Sequence, residues 1–400
     1  MKKLIIASMN IQERSCLATV LFEEQKPLEI SLNPEQKDNI LRNIYIGKVE
    51  KILRNIDAAF VLIGPGQSCY LSLKEIQEEG RELKPGDQLL VQVDKEAMKQ
   101  KLPRLTTNLT LSGKYLVLSS QRQTMNFSHK LKTEEKLLLK SYLKEYRNPA
   151  YGLIVRTNAR EADKETLVEE LEDLTRQMDH ICRYASARTC FSCLYRSPGS
   201  WIRELENQSF QSLQRILTDQ KEVYEELEQY LCLHDTQGQV KLEYYQDPLL
   251  PLSHLYNLYG LVDKLRHERV WLPSGGFLVI QETEAFVAID VNTGKCMDKS
   301  SPRETFYRTN REAAQEIALQ LRLRQLSGII LIDFINMSDL RQQKELKEYM
   351  QELVDRDSVS TKVVDITPLH IMELTRRKEK KSFREQIRSL TSDGLRDTLI

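Results

Sequence analysis

The sequence predicts a multidomain chain of mixed α+β and α/β class, and three observations carry that expectation. Residues 43–93 read as short strands punctuated by glycine, the last third alternates strand with helix, and the chain opens on a hairpin too short to fold alone. Its 400 residues, 40% hydrophobic and 29% charged, are enough for several compact units with real cores.

The opening hairpin is "KLIIASMN" followed by "RSCLATVLFEE". An isolated two-stranded hairpin is marginal in water, so it is expected to complete a sheet with residues 198–251, with a barrel inserted between them. That barrel is written in "NIYIGKVEKIL", "DAAFVLIG", a turn at "GPG", "SCYLSL" and "KPGDQLLVQV". Such close spacing suits a small closed barrel of OB type better than an open sheet. Phe60 and Tyr70 lie on its strands, where aromatic residues either fill the core or stack on bases.

Two more β runs, "KYLVLSS" and "YGLIVRTN", flank a lysine-rich stretch of helical pattern. Leu167, Leu171, Leu174, Met178 and Ile181 then recur at alternating steps of four and three, which predicts a long amphipathic helix over 161–184 that serves as scaffold. "SWIRELEN" opens a helical region and 222–233 forms another helix; neither announces chemistry. In the last third, "GGFLVIQETEAFVAIDVN" reads as two strands and "YRTNREAAQEIALQLRLRQL" as a helix. "GIILIDFIN" is an apolar strand, "DLRQQKELKEYMQELVD" a helix and "TKVVDIT" a strand. Alternation of this kind places ligands at strand ends.

Composition excludes some classes. No run approaches the roughly 18 apolar residues of a membrane helix, and "MKKLIIASMN" is too short and polar for a secretory signal, so a cytoplasmic protein with no membrane span is expected. Seven scattered cysteines argue for reduced thiols; only Cys190 and Cys193 have metal-ligand spacing, and one such pair is half a zinc site or two packed thiols. Net charge is zero, so any nucleic-acid surface must be local. "KQKLPR", with Lys99, Lys101 and Arg104, and the run from Arg376 through Lys381 are candidates for such a surface or for solvated faces.

One constellation stands out. In "AIDVN" the period of two puts Asp290 and Asn292 on one face of a strand. Asp333 interrupts the apolar "GIILIDFIN", and a carboxylate there needs a cation or several donors. If the strands are neighbours, the three form a hard, oxygen-only site that selects magnesium or manganese over zinc. Alternatively Asp333 pairs with Arg322 or Arg324 of the preceding helix, and Asp290 caps the turn at "NTG".

"LPSGGFLVIQETEAFVAIDVNTGK", "TNREAAQEIALQLRLRQLSGIILIDFINM" and "GLIVRTN" closely resemble the ribonuclease E/G family, bacterial endoribonucleases that cut single-stranded RNA; the resemblance runs from "IYIGKV" to "IMELTRR". It implies a ribonuclease-H-like domain split into 1–38 and 191–265, an OB-fold RNA-binding barrel at 39–110, a 5′-sensor region at 111–190 and a deoxyribonuclease-I-like catalytic domain at 266–400. It also implies Asp290 and Asp333 as metal-binding acids, Mg2+ or Mn2+ as cofactor, and Asn292 as the orienting amide. Arg156 and Thr157, with Gly113 and Val117, would bind a 5′-monophosphate, a role that guanidinium and hydroxyl donors suit. On residues alone Arg156 reads as a surface arginine. Phe60 and Tyr70 would stack on bases and Lys101 would line the RNA path.

Two departures qualify this. The family's paired-cysteine motif, which shares zinc between subunits, has no counterpart in "RRKEKKSFREQIRSL". No zinc link is therefore expected, and any homo-oligomer would form otherwise. Thr367 and Pro368 stand where the family carries an RNA-contacting arginine. The expected function is Mg2+-dependent hydrolysis of single-stranded RNA to 5′-phosphate and 3′-hydroxyl ends, in ribosomal RNA processing or messenger RNA decay, with 5′-monophosphate sensing. The alternative is a non-catalytic RNA-binding assembly factor that keeps the fold.

Overall fold

The computed structural model describes all residues except 35–39, 79–81, 96–101, 122, 207, 209, 211, 236–237, 295–301, 338 and 391–400. It is a mixed α+β chain that divides into two compact units. One is formed by the described residues of Met1–Glu35 and Phe210–Gly394, the other by those of Gln36–Ser209. Among the described residues no helix is long and apolar enough to cross a membrane.

The first unit contains two sheets. In one, Lys2–Ile11, Arg14–Glu23 and Lys26–Pro34 form an antiparallel meander, and Leu213–Thr218 and Lys241–Tyr244 add to it in parallel beside Lys2–Ile11. The opening hairpin thus gains the partner that its own marginal stability requires, together with a third strand that was not read from the sequence.

The other sheet runs Arg269–Trp271, Phe277–Glu282, Phe286–Asn292, Gly328–Asp333, Ile371–Arg376 and Thr361–Ile366 in spatial order. Alternate residues such as Leu278, Ile289, Ile330, Ile332 and Leu374 turn to one face and are buried against Ala313, Ile317 and Leu321 of helix Pro302–Leu323 and Leu346, Met350 and Val354 of helix Leu340–Asp355. Each of the larger of these side chains contributes about 1.5–3 kcal/mol by leaving water. The opposite face is open: Ile329 is 52% and Phe286 38% exposed. The strand Ile371–Arg376 is absent from the sequence reading, because its alternation lasts only six residues, with Met372 and Leu374 inward.

The second unit opens with a closed five-stranded barrel. Ile44–Leu53, Ala58–Leu62, Ser68–Ser72, Arg104–Thr106 and Gln88–Lys95 pair in that order, and the last returns to the first. Val61, Cys69, Leu71, Val91 and Leu105 fill it. At Gly47 a Cβ would lie 2.6 Å from Val61 Cγ1, so the strands approach as closely as they do only because glycine is there. Cys193–Tyr195 extends the barrel sheet beside Ile44–Leu53.

Next comes a four-stranded sheet, ordered Met125–Phe127, Gly152–Val155, Leu116–Ser119 and Thr110–Ser112. Helices Thr133–Leu143 and Lys164–Ala185 contribute Leu139, Leu143, Leu167, Leu171, Leu174 and Met178 to its core. The long helix starts at Lys164 because the Asp163 carboxylate caps it, accepting from Thr166 N at 2.8 Å.

Candidate functional site

The strands Phe286–Asn292 and Gly328–Asp333 run parallel with Phe286 opposite Ile329, and the register carries Asp290 opposite Asp333. Partners in a parallel ladder share a face and lie about 4.8 Å apart. The two aspartates therefore stand side by side on the face away from the helices, and both are exposed. Asn292, two residues on, shares that face, and its Nδ2 donates to Asp290 Oδ2 at 2.8 Å.

The alternative pairing of Asp333 with Arg322 or Arg324 fails on geometry. Arg322 is bound to Glu29 at 2.7 Å, and Arg324 donates to Gln320 Oε1 at 2.7 Å and to the His267 carbonyl at 2.8 Å. Among the described residues neither aspartate has a cationic partner, and no third carboxylate, histidine or cysteine joins them to make a metal-holding group. Two anionic groups and one amide oxygen fit a hard divalent cation that keeps positions for water and substrate.

Neighbouring loops fix these strand ends. Asn310, fully buried on helix Pro302–Leu323, accepts from Ile335 N at 3.0 Å and donates to Ile335 O at 2.7 Å, two residues past Asp333. At Gly276 a Cβ would lie 2.8 Å from the Asn292 carbonyl, and at Gly294, whose φ is +55°, 2.2 Å from the Gly275 carbonyl. Only glycines let these two turns stack on one another.

In the second unit, Arg156 follows the strand Gly152–Val155, and its Nη1 donates to the Gly113 carbonyl at 2.7 Å and to Glu206 Oε2 at 3.0 Å. Thr157 Oγ1 lies 2.8 Å from Ser128 Oγ, while Val117 sits within the sheet opposite Ile154 and Ser112. Arg156 and Gly113 thus touch, and Thr157 and Val117 hold adjacent positions with other partners. The loop after Gly113 is organised by Glu170, which accepts from Lys114 N, Tyr115 N and Leu116 N at 3.1, 2.9 and 2.7 Å. Burial pushes Glu170 up to about 7 despite those donors, and burial also raises Glu206.

Both glutamates escaped the sequence reading. Glu170 had a signal, an acid three residues after Leu167 and four before Leu174 on the apolar stripe of a helix treated as scaffold. Glu206 had none. It ends a seven-residue helix, Ser200–Glu206, that buries six of its side chains and so shows no amphipathic period.

On the barrel, register pairs Lys51 with Phe60, Phe60 with Tyr70, Tyr70 with Arg104 and Arg104 with Lys95. Phe60 and Tyr70 are half-buried and lie outside the barrel core, whereas Val61, Cys69 and Leu71 point into it. The core-filling alternative is thereby replaced by an outward row of two aromatic residues bracketed by cations. Lys99 and Lys101 lie outside the described residues. Of the other basic run, Arg376 is buried and bonded to Asp357 at 2.8 Å, so it belongs to the core and not to a phosphate track. Cys190 is half-buried and Cys193 exposed, each a free thiol, as are the other described cysteines.

The profile of the Ribonuclease E/G family matches residues 110–379, and this chain belongs to that family. It is 31% identical to ribonuclease E of a Synechocystis species over 391 residues, 94% of this chain and 57% of that protein. It is 33% identical to ribonuclease E of a Nostoc species over 399 residues, 96% and 57% of the respective chains. With ribonuclease G of Escherichia coli K12 it shares 30% over 372 residues, 88% of this chain and 76% of that one. The chain thus spans a little over half the length of the two ribonuclease E relatives.

Proposed function

We propose that this protein is an endoribonuclease that hydrolyses phosphodiester bonds of single-stranded RNA in ribosomal RNA processing or messenger RNA decay. The observation that carries the reading is the in-register pair Asp290 and Asp333, exposed and without a cationic partner among the described residues. The names of the relatives, ribonucleases E and G, support it.

Asp290 and Asp333 would hold Mg2+, with Mn2+ as a substitute. When bound, the ion would supply charge stabilisation at the phosphate oxygens and acidify water. Asn292 steadies Asp290 through its amide proton, and its amide would orient the phosphate or the attacking water. Asn310 holds the chain beyond Asp333, so both carboxylates are preorganised. Water adds at phosphorus and the bond to the 3′ oxygen breaks; that oxygen takes up a proton, leaving 3′-hydroxyl and 5′-phosphate ends.

Phe60 and Tyr70 would stack on bases, Lys101 would line the RNA path, and Arg156, Thr157, Gly113 and Val117 would receive a 5′-monophosphate. In this reading the five-stranded sheet belongs to a split ribonuclease-H-like domain and the six-stranded sheet to a deoxyribonuclease-I-like one. Cleavage of an end-labelled RNA in Mg2+ tests the proposal. Asp290→Ala and Asp333→Ala should each abolish cutting. Variants that cut at the parental rate would refute the assignment, and a parent that binds RNA without cutting it would mark an RNA-binding factor instead.

A further inference from the structure

The carboxylate of Glu206 lies against the guanidinium of Arg156. Its Oε2 is 3.0 Å from Arg156 Nη1, and the Glu206 backbone carbonyl accepts from Asn158 Nδ2 at 2.8 Å, so the end of its helix is tied to the Arg156 segment twice. Glu206 is only 5% exposed. The guanidinium groups of Arg42 and Arg203 also act on it, and Arg42 Nη1 donates to Ser112 Oγ at 2.8 Å. Arg42, Ser112, Tyr195, Arg203 and Glu206 line a cleft with a free volume of about 10 Å³. That is room for one water at most. The lining of that cleft includes Glu206 but not Arg156.

Arg156 Nη1 already serves the Gly113 carbonyl and Glu206, so an anion that takes this nitrogen must displace the carboxylate. Moving Glu206 off Arg156 would also strip a buried carboxylate of a partner, which is costly. A 5′-phosphate that takes Arg156 Nη1 therefore gains there only the difference between two similar bonds.

We infer that Glu206 is a specificity-determining residue of the 5′-end site, whose carboxylate stands in for a terminal phosphate on Arg156 and keeps the preference for 5′-monophosphorylated over 5′-hydroxyl RNA low. This rests on the reading of Arg156 as the phosphate ligand. Neutralising Glu206 frees one charge-assisted bond, so the preference rises about tenfold.

The test measures the cleavage-rate ratio for two RNAs of one sequence, 5′-monophosphorylated and 5′-hydroxyl, with anisotropy binding of the same RNAs in EDTA. Parent, Arg156→Ala, Glu206→Gln, Glu206→Ala, Glu206→Asp and Glu206→Gln combined with Arg156→Ala are compared, each checked for folding by circular dichroism. The expected result is a ratio raised about tenfold in Glu206→Gln or Glu206→Ala, near the parental value in Glu206→Asp, and lost in the double variant. A purely structural role for Glu206 would change rates on both RNAs and leave the ratio alone. If the parent has a preference that Arg156→Ala abolishes while the neutral Glu206 variants leave it unchanged, the masking role is wrong and 5′ sensing stands. If the neutral variants raise the ratio and the double variant keeps the gain, Arg156 is not the ligand and the sensor reading itself falls.

Discussion

Arg322 is held by Glu29, whose Oε1 lies 2.7 Å from Nη2 and 3.2 Å from Nε of the guanidinium. Arg322 and Arg324, at the end of the preceding helix, are thus committed elsewhere, and Asp290 and Asp333 stand in register on neighbouring strands with their charge uncompensated among the described residues.

Like charges at that spacing oppose the fold modestly, and a bound cation relieves them. Asp333→Asn and Asp290→Asn are expected to leave the melting temperature in EDTA unchanged or slightly raised. Mg2+ in excess of its dissociation constant should raise the parental melting temperature by roughly 1–3 °C and leave both variants unmoved. A thermal scan with and without Mg2+ checks this, and an equal Mg2+ response in all three proteins would contradict metal binding at the pair.

Asn310→Ala leaves the N–H and C=O of Ile335 without the partner that now serves both. The expected loss is about 2–4 kcal/mol in urea unfolding, together with slower cleavage as Asp333 loosens. Unchanged stability would show that water replaces the amide at no cost.

Glu170 gives a pH dependence whose sign is opposite to that of an ordinary paired carboxylate. Burial holds it at about 7 in the folded chain against an ordinary 4.5, so between those values the folded protein keeps a proton that the unfolded chain has released. Stability from this group is fully present below 4.5 and lost as pH rises through about 7, a difference of roughly 3 kcal/mol. Unfolding at pH 5 and pH 8 should show the decline, and Glu170→Gln should flatten it. Parallel profiles for parent and variant would remove Glu170 as the cause. Glu206, also raised by burial, adds to the slope with the same sign.

The outward row on the barrel separates binding from stability. Phe60→Ala and Tyr70→Ala should each weaken binding of a short single-stranded RNA by about 1–3 kcal/mol. Their melting temperatures should fall far less than that of Leu71→Ala, which empties a fully buried position of the barrel. Anisotropy titrations paired with thermal scans would show otherwise if both aromatic variants bound RNA at parental strength.

Much of this was legible in the sequence wherever a period was long and the neighbour obvious. "AIDVN" and "GIILIDFIN" could be paired on paper because each is a strand with an acid near its end. The barrel followed from glycine spacing, but whether Phe60 pointed in or out did not, since that parity depends on which alternate residues close the interior. The strand Ile371–Arg376 and the helix Ser200–Glu206 are too short for a period to emerge, and the role of Glu206 depends on its contact with Arg156, fifty positions away in the chain.

Strand registry carries a last consequence. Side chains alternate faces along a strand, so a slip of one residue between Phe286–Asn292 and Gly328–Asp333 would drive an aspartate into the helix-packed layer and bring an apolar neighbour such as Ile289 or Ile332 out beside its former partner. The proposed cation capture would therefore be contingent on correct zipping of these two strands. A chain that mispairs during synthesis is disarmed by the same error that misfolds it.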